Sequence, residues 1–198
     1  MSLTDPLRVV RKVTAVFQEL NISYLVGGSL ASSLHGIPRA TQDADIVADL
    51  AQTDIKKIVA LLSPDFYIDE EMAKGAVGGK SSFNIIDKEE FFKIDIFVKG
   101  IDELSCIEME RRISFKVDDA DEQPLFVCSP EDIIVHKLFW YKLGEGVSER
   151  QWNDAINVIK VQRNCLDYEY LRRTSRARGV LDLLEKALME NQQTERRQ

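Results

Sequence analysis

The stretch Tyr24–Val47, YLVGGSLASSLHGIPRATQDADIV, constrains the fold more than any other. An apolar run breaks at Gly27-Gly28, passes into small residues at helical spacing, stops near Gly36–Pro38 and resumes as an apolar strand. A strand that turns through glycines into a helix and returns to a strand calls for a layered mixture of helix and sheet. In the second strand alternate residues share a face. Asp43, Asp45 and Val47 therefore point one way, and Ala44, Ile46 and Ala48 the other. The two carboxylates stand about 7 Å apart at Cα, from a rise of roughly 3.3 Å per residue. That lets both reach one hard cation, and without a cation they repel until one takes up a proton. Taken alone, an Asp near a strand end is more often a turn or cap residue, and Asp-x-Asp is a weak signal.

A third carboxylate stands in EEFFKIDIFVKG. Phe92, Ile94, Ile96 and Val98 make one face of a strand; Phe91, Lys93, Asp95 and Phe97 make the other. An ionised Asp95 among these apolar residues is costly unless something compensates it. Pairing this strand beside the Asp43/Asp45 strand brings three carboxylates together. An oxygen-rich, histidine-poor set of this kind suits Mg2+ or Mn2+ better than zinc.

The turn Val26-Gly27-Gly28-Ser29 lets backbone N–H groups approach a ligand, offers the Ser29 hydroxyl and opens a helix whose N-terminus favours an anion. It matches neither the P-loop nor the GxGxxG pattern. By itself it reads equally as a tight turn without a ligand. Downstream, KGAVGGKSS imitates the end of a P-loop, but Lys74 stands where the first glycine is required. The expectation there is a mobile glycine loop, with a lid as the alternative.

Helical periodicity covers 5–20, with Asp5 as the start signal, 29–34, 53–62 with Thr53 as N-cap, and then 130–143, 149–163, 167–177 and 179–190. Strands are expected at 23–26, 44–47, 66–68, 81–86 and 90–98, with a tight turn around Asp87-Lys88. A further pair, 111–117 and 125–127, is joined by the acidic DDADEQP, and the last eight residues are expected to fray. The fold class is therefore α+β: a mixed sheet with flanking helices, followed by a helical C-terminal region. The expected domains are 1–128 and 129–198, the second packing on the first.

Composition removes several classes of function. The 198 residues are 44% hydrophobic and 30% charged, with a net charge of −7, which disfavours a broad nucleic-acid or anionic-membrane footprint. No run approaches the roughly 18 apolar residues of a membrane span, and MSLTDPLRVVRKV lacks the features of a signal peptide. A cytoplasmic protein without membrane contact is expected. Cys106, Cys128 and Cys165 read as buried free thiols, since no CxxC pair exists and there are two histidines.

Taken together, Gly28-Ser29 and Asp43-Ala44-Asp45-Ile46 resemble the signature of the DNA polymerase beta-like nucleotidyltransferase superfamily, with Asp95 in the place of its third carboxylate. Arg39-Ala40-Thr41-Gln42-Asp43-Ala44-Asp45, with Pro130-Glu131-Asp132-Ile133 leading to Lys137, is most similar to the abortive-infection (type IV toxin) nucleotidyltransferase-like proteins. Ala44 is smaller than the aliphatic residue usual there. The resemblance implies a nucleotidyltransferase fold and transfer of a nucleoside monophosphate from a nucleoside triphosphate to a hydroxyl of a tRNA, a protein or a small molecule. It implies that Asp43, Asp45 and Asp95 are catalytic and hold Mg2+ or Mn2+, and that Gly27, Gly28, Ser29, Arg39, Thr41 and Lys137 bind the nucleotide. An antitoxin protein is the partner it suggests. The alternative is an inactive module of the same fold that senses nucleotides or binds a partner.

Three charged features have ordinary readings beside these. Lys137 lies on the apolar stripe of Ile134, Leu138 and Tyr141, where it either meets an anion or snorkels from the edge. Arg39 either reaches a phosphate or an acidic substrate, or pairs with Asp43 across the turn, and Asp154 is placed to orient Lys137 or Arg150. The arginines of 172–178 read as a cationic last turn before Gly179 rather than an RNA contact. His35 is assigned a dipole contact at the C-terminal end of its helix, and His136 a place on the surface or in helix packing.

Overall fold

A computed structural model describes residues 6–116 and 124–195, with side chains placed as far as residue 192. The proposed start signal Asp5, the acidic segment at 118–123 and the last three residues lie outside the described residues. The chain groups into two units, one of residues 1–30 and 40–127 and one of residues 31–39 and 128–198.

The first unit is built on a mixed seven-stranded sheet among the described residues. Its strands are β1 (Tyr24–Val26), β2 (Asp43–Ala48), β3 (Phe66–Tyr67), β4 (Ser82–Asp87), β5 (Lys93–Val98), β6 (Ile113–Phe115) and β7 (Leu125–Val127), in the order β3-β4-β5-β2-β1-β7-β6. β2 runs parallel to β5 and antiparallel to β1, and β4 runs antiparallel to β5. Alternation decides the faces, as the sequence pattern requires. Ala44, Ile46, Ala48, Ile94 and Ile96 are fully buried, while Asp43, Asp45, Lys93 and Asp95 are half-buried on the opposite face. α1 (Pro6–Glu19) buries Val9, Val13 and Phe17, spaced by one turn, and packs against β2 and α3 (Gln52–Leu62).

Four points need correction here. The segment expected to be a glycine loop is α4 (Glu70–Gly79). The Asp69 side chain accepts from Met72 N at its start, Ala73, Ala76 and Val77 are buried, and Lys80 closes it in the left-handed conformation at φ 50°. A start signal and a buried face outweigh the low helix propensity of its glycines. Thr53 is not the N-cap of α3. Ala51 holds that position, and its N–H donates to the Asp54 carboxylate at 2.9 Å. A helix not expected from the sequence, α5 (Glu103–Glu110), starts at Asp102, whose side chain accepts from Ser105 N. β5 begins at Lys93, because Phe91 at φ 54° belongs to the turn and is 72% exposed.

Asp87, expected merely to mark that turn, is fully buried. Its Oδ1 accepts from Glu89 N and Glu90 N at 3.0 and 2.8 Å, and its Oδ2 accepts from Lys12 Nζ at 3.1 Å. Burial alone would raise its pKa; the backbone donors and the lysine outweigh it and leave the carboxyl below its usual range.

α2 (Gly28–His35) begins in the first unit and ends in the second. The second unit continues with α6 (Pro130–Leu143), α7 (Glu149–Gln162), α8 (Tyr168–Ala177) and α9 (Leu181–Glu195). α9 thus runs through most of the tail expected to fray. Ser129 caps α6, its Oγ accepting from Asp132 N and donating to Asp132 Oδ2 at 2.6 Å. Asp132 Oδ1 takes the Tyr170 hydroxyl at 2.6 Å, and Glu131 Oε1 takes Asp167 N at 2.8 Å. These two buried acids therefore tie the start of α6 to the start of α8. Gly36 admits the close passage of α7: a Cβ there would lie 2.9 Å from Ser32 O and 3.1 Å from Val158 N. Among the cysteines Cys128 is buried and Cys106 half-buried, but Cys165 is exposed at the end of α7, against the expectation of burial.

Candidate functional site

β2 and β5 pair in parallel with Asp45 opposite Asp95 and Asp43 opposite Lys93. Paired strands stand about 4.8 Å apart, so Asp45 and Asp95 are neighbours on one face, with Asp43 two residues along. The strand pairing expected from the sequence is the one found. What the sequence reading left out is the cation already in the group. Lys93 Nζ lies 2.6 Å from Asp95 Oδ2, and the charges of Asp95, Asp43 and Asp45 all raise the Lys93 pKa, the Asp95 hydrogen bond most. The signal was available, because Lys93 lies on the Asp95 face two residues away.

The glycine turn is shaped around Asp45. Gly27 N donates to Asp45 O at 2.8 Å, extending the β1–β2 ladder into the turn. Gly28 has φ +59°, and a Cβ on it would lie 1.7 Å from Asp45 Oδ2. Only a residue without a side chain lets that carboxylate rest against the first turn of α2. Ser29 follows, buried, in the same turn. Thr41 is a local brace: its hydroxyl lies 3.0 Å from Asp43 O and 3.1 Å from Asp43 Oδ1. Gly27, Gly28, Thr41, Asp43, Asp45 and Asp95 thus form one connected set in the first unit.

Arg39 and Lys137 belong to a second set, within the second unit. Arg39 meets the carboxylate of Asp154 in place of Asp43, the alternative expected. Its Nε and Nη2 make a two-pronged contact with Asp154 Oδ1 and Oδ2, both at 2.8 Å. Lys137 does not snorkel: its side chain is 4% exposed and its Nζ sits 2.9 Å from Asp154 Oδ2. Asp154 therefore binds Lys137, as expected, together with Arg39 in place of Arg150. Burial would raise the Asp154 pKa; the hydrogen bonds and charges of Arg39 and Lys137 prevail and hold it low. His35 stands in the last turn of α2, as expected. It is buried and donates from Nε2 to Cys128 O at 2.8 Å, and burial lowers its pKa.

Two solved structures share this architecture. One is an antigenic nucleotidyltransferase-like protein from Paracoccidioides brasiliensis, with a TM-score of 0.53 and 19% identity over 79% of this chain and 76% of that one. The other is ANT(2'')-Ia in complex with adenylyl-2''-tobramycin, with a TM-score of 0.54 and 16% identity over 86% of this chain and 97% of that one. No family model and no curated protein matches the chain by sequence. The likeness is one of fold: α+β, a mixed sheet with flanking helices. Among the described residues no helix is long and apolar enough to cross a membrane.

Proposed function

We propose that the chain is a metal-dependent nucleotidyltransferase with its chemistry at Asp43, Asp45 and Asp95. One observation carries this reading: three carboxylates share one face of β2 and β5, with Gly28 packed on the middle one. The donor set fits Mg2+ or Mn2+. It is all oxygen, it is half-exposed, and it holds a lysine ammonium at 2.6 Å, so the site accommodates positive charge. A bound divalent ion would neutralise the triphosphate and polarise the phosphorus under attack. Asp43 and Asp45 would hold that ion. Asp95 takes the proton of the acceptor hydroxyl, whose oxygen bonds to the α-phosphorus as the bond to pyrophosphate breaks. Gly27, Gly28 and Ser29 present the start of α2 to the phosphates.

Arg39, Thr41 and Lys137 are proposed nucleotide contacts on the strength of the family resemblance. Thr41 orients Asp43, and Asp154 fixes the two cations. Residues 1–128 form the catalytic domain and 129–198 the helical region in this reading. Transfer to a hydroxyl follows the precedent of ANT(2'')-Ia, whose complex holds an adenylylated antibiotic. A toxin role predicts growth arrest on induced expression, abolished by Asp43→Asn.

The test is calorimetric binding of ATP, GTP, CTP and UTP with Mg2+ to the wild type and to Asp43→Asn/Asp45→Asn. Magnesium-dependent binding that the double variant loses supports the reading and names the nucleotide. No binding to a folded wild type overturns it in favour of a partner-binding module.

A further inference from the structure

The carboxylate face continues past Asp95. Asn84 on β4 stands opposite Asp95, and Ile86 opposite Lys93. On the edge strand Tyr67 stands opposite Ile86. Directly paired residues share a face, so one row runs Asp45–Asp95–Asn84 and the next runs Asp43–Lys93–Ile86–Tyr67. At the outer end of these rows a pocket of about 440 Å³ is lined by Tyr67, Ile68, Met72, Asn84, Ile86 and Lys88. That volume is in the range of roughly 300–1,000 Å³ that small-molecule sites occupy. Tyr67 and Met72 are more than half exposed, at 57% and 53%. Two large apolar side chains left open beside the Asn84 amide, next to a carboxylate row, make an unusual surface for an edge strand.

We propose that this pocket binds the acceptor: a small, ring-bearing molecule, neutral or cationic, with a hydroxyl. This rests on the nucleotidyltransferase reading and adds to it the acceptor class and its place. The rings lie on Tyr67, Met72 and Ile86, where apolar area is available to be covered. Asn84 offers both a donor and an acceptor to the molecule's polar edge, and it stands beside Asp95, toward which the reacting hydroxyl is directed. Charge selects against a nucleic acid. Lys88 Nζ donates to Ser63 O at 2.6 Å and lies 5.4 Å from the centre of the Tyr67 ring, and Lys93 is engaged by Asp95. Lys93 is thus paired with a carboxylate, and in the lining Asp69 offsets the one positive charge of Lys88, so no excess of cations faces a phosphate backbone.

The experiment uses the full chain with 13C-methyl labels on methionine and isoleucine, titrated with a panel of aryl glycosides, cyclitols and phenols and separately with unfractionated tRNA. The expected result is that at least one small compound shifts the Met72 and Ile86 methyls. Tyr67→Ala or Met72→Glu should weaken that binding at least tenfold, and Asp43→Asn/Asp45→Asn should leave it unchanged. Met72 is exposed in the first turn of α4, where an acid suits the helix, so Met72→Glu tests the pocket without challenging the fold. Mg2+–nucleotide binding, measured on the same proteins, should show the opposite pattern, being lost in the aspartate variant and kept in the pocket variants. No methyl shift with any small compound, in a protein that binds Mg2+–nucleotide, overturns the pocket and leaves the enzymatic reading standing. Binding of tRNA that depends on Tyr67 overturns it as well. Small-molecule binding without any nucleotide binding keeps the pocket and removes the reaction.

Discussion

Gly28→Ala isolates the step that joins the glycine turn to the carboxylates. Two costs fall on this substitution. Alanine at φ +59° pays about 1–2 kcal/mol for the left-handed conformation. The new methyl would also lie 1.7 Å from Asp45 Oδ2, where ordinary contact begins near 3.4 Å, so the carboxylate must retreat by more than an ångström. Pushing a side chain off its rotamer to do so costs about 0.5–1.5 kcal/mol. The expected loss of stability is roughly 2–3 kcal/mol, or about 4–12 °C in Tm for a chain of this size. The decisive comparison is a double-mutant cycle with Asp45→Ala, read by urea unfolding. With the carboxylate gone, only the conformational cost remains, so Gly28→Ala should cost about 1–2 kcal/mol there and the two changes should couple by roughly 1 kcal/mol. Mg2+–nucleotide binding should fall at least tenfold in the single variant, because a displaced ligand no longer meets the ion. Equal costs in both backgrounds, or undiminished nucleotide binding, would refute the claim that the glycine exists to seat Asp45.

Three further outcomes are expected. Asp154→Asn leaves the buried Lys137 ammonium facing a neutral amide and should cost about 3–5 kcal/mol, read by chemical unfolding, while Asp154→Leu/Lys137→Met should recover much of it. His35 has its pKa below the exposed value of 6.5, so the unfolded chain takes up the proton first. Stability should therefore decline as the pH falls through 6.5 toward the folded value, a slope that His35→Gln removes from urea midpoints taken between pH 5 and 8. Lys93→Gln takes the ammonium from Asp95 and should tighten Mn2+ binding several-fold by electron paramagnetic resonance; weaker binding would instead make Lys93 a helper of the ion or its phosphates.

What the chain discloses by pattern is where a charge is out of place, and the structure shows how far that clue reaches. Period-2 alternation alone puts Asp43, Asp45 and Asp95 on the solvent-side faces of β2 and β5, and the apolar residues between them force those strands inward. The bounds of α6 follow from Ser129, Pro130 and its apolar residues in the same local way. Partner identity is a different kind of information. Lys137 is visibly inward on its helix and Asp154 is readable as its partner, yet nothing in the sequence brings Arg39 to that same carboxylate across 115 positions. Asp87 shows the converse error. Its place before Lys88 looks like turn chemistry, but the turn folds its backbone donors onto the side chain and buries it against Lys12. α4 was hidden because glycine propensity is a local cost, whereas the burial of Ala73, Ala76 and Val77 that outweighs it exists only once the unit is packed. Each misreading has the same cause. A sequence states what a residue would cost if left alone, and a fold is the arrangement that finds each costly residue a partner. The carboxylates of β2 and β5 follow this logic one step further. Buried Asp87 and Asp154 are each neutralised within their own unit by fixed cations. This group has three acids and one lysine on a half-exposed face, and the remaining negative charge is what a divalent ion would neutralise.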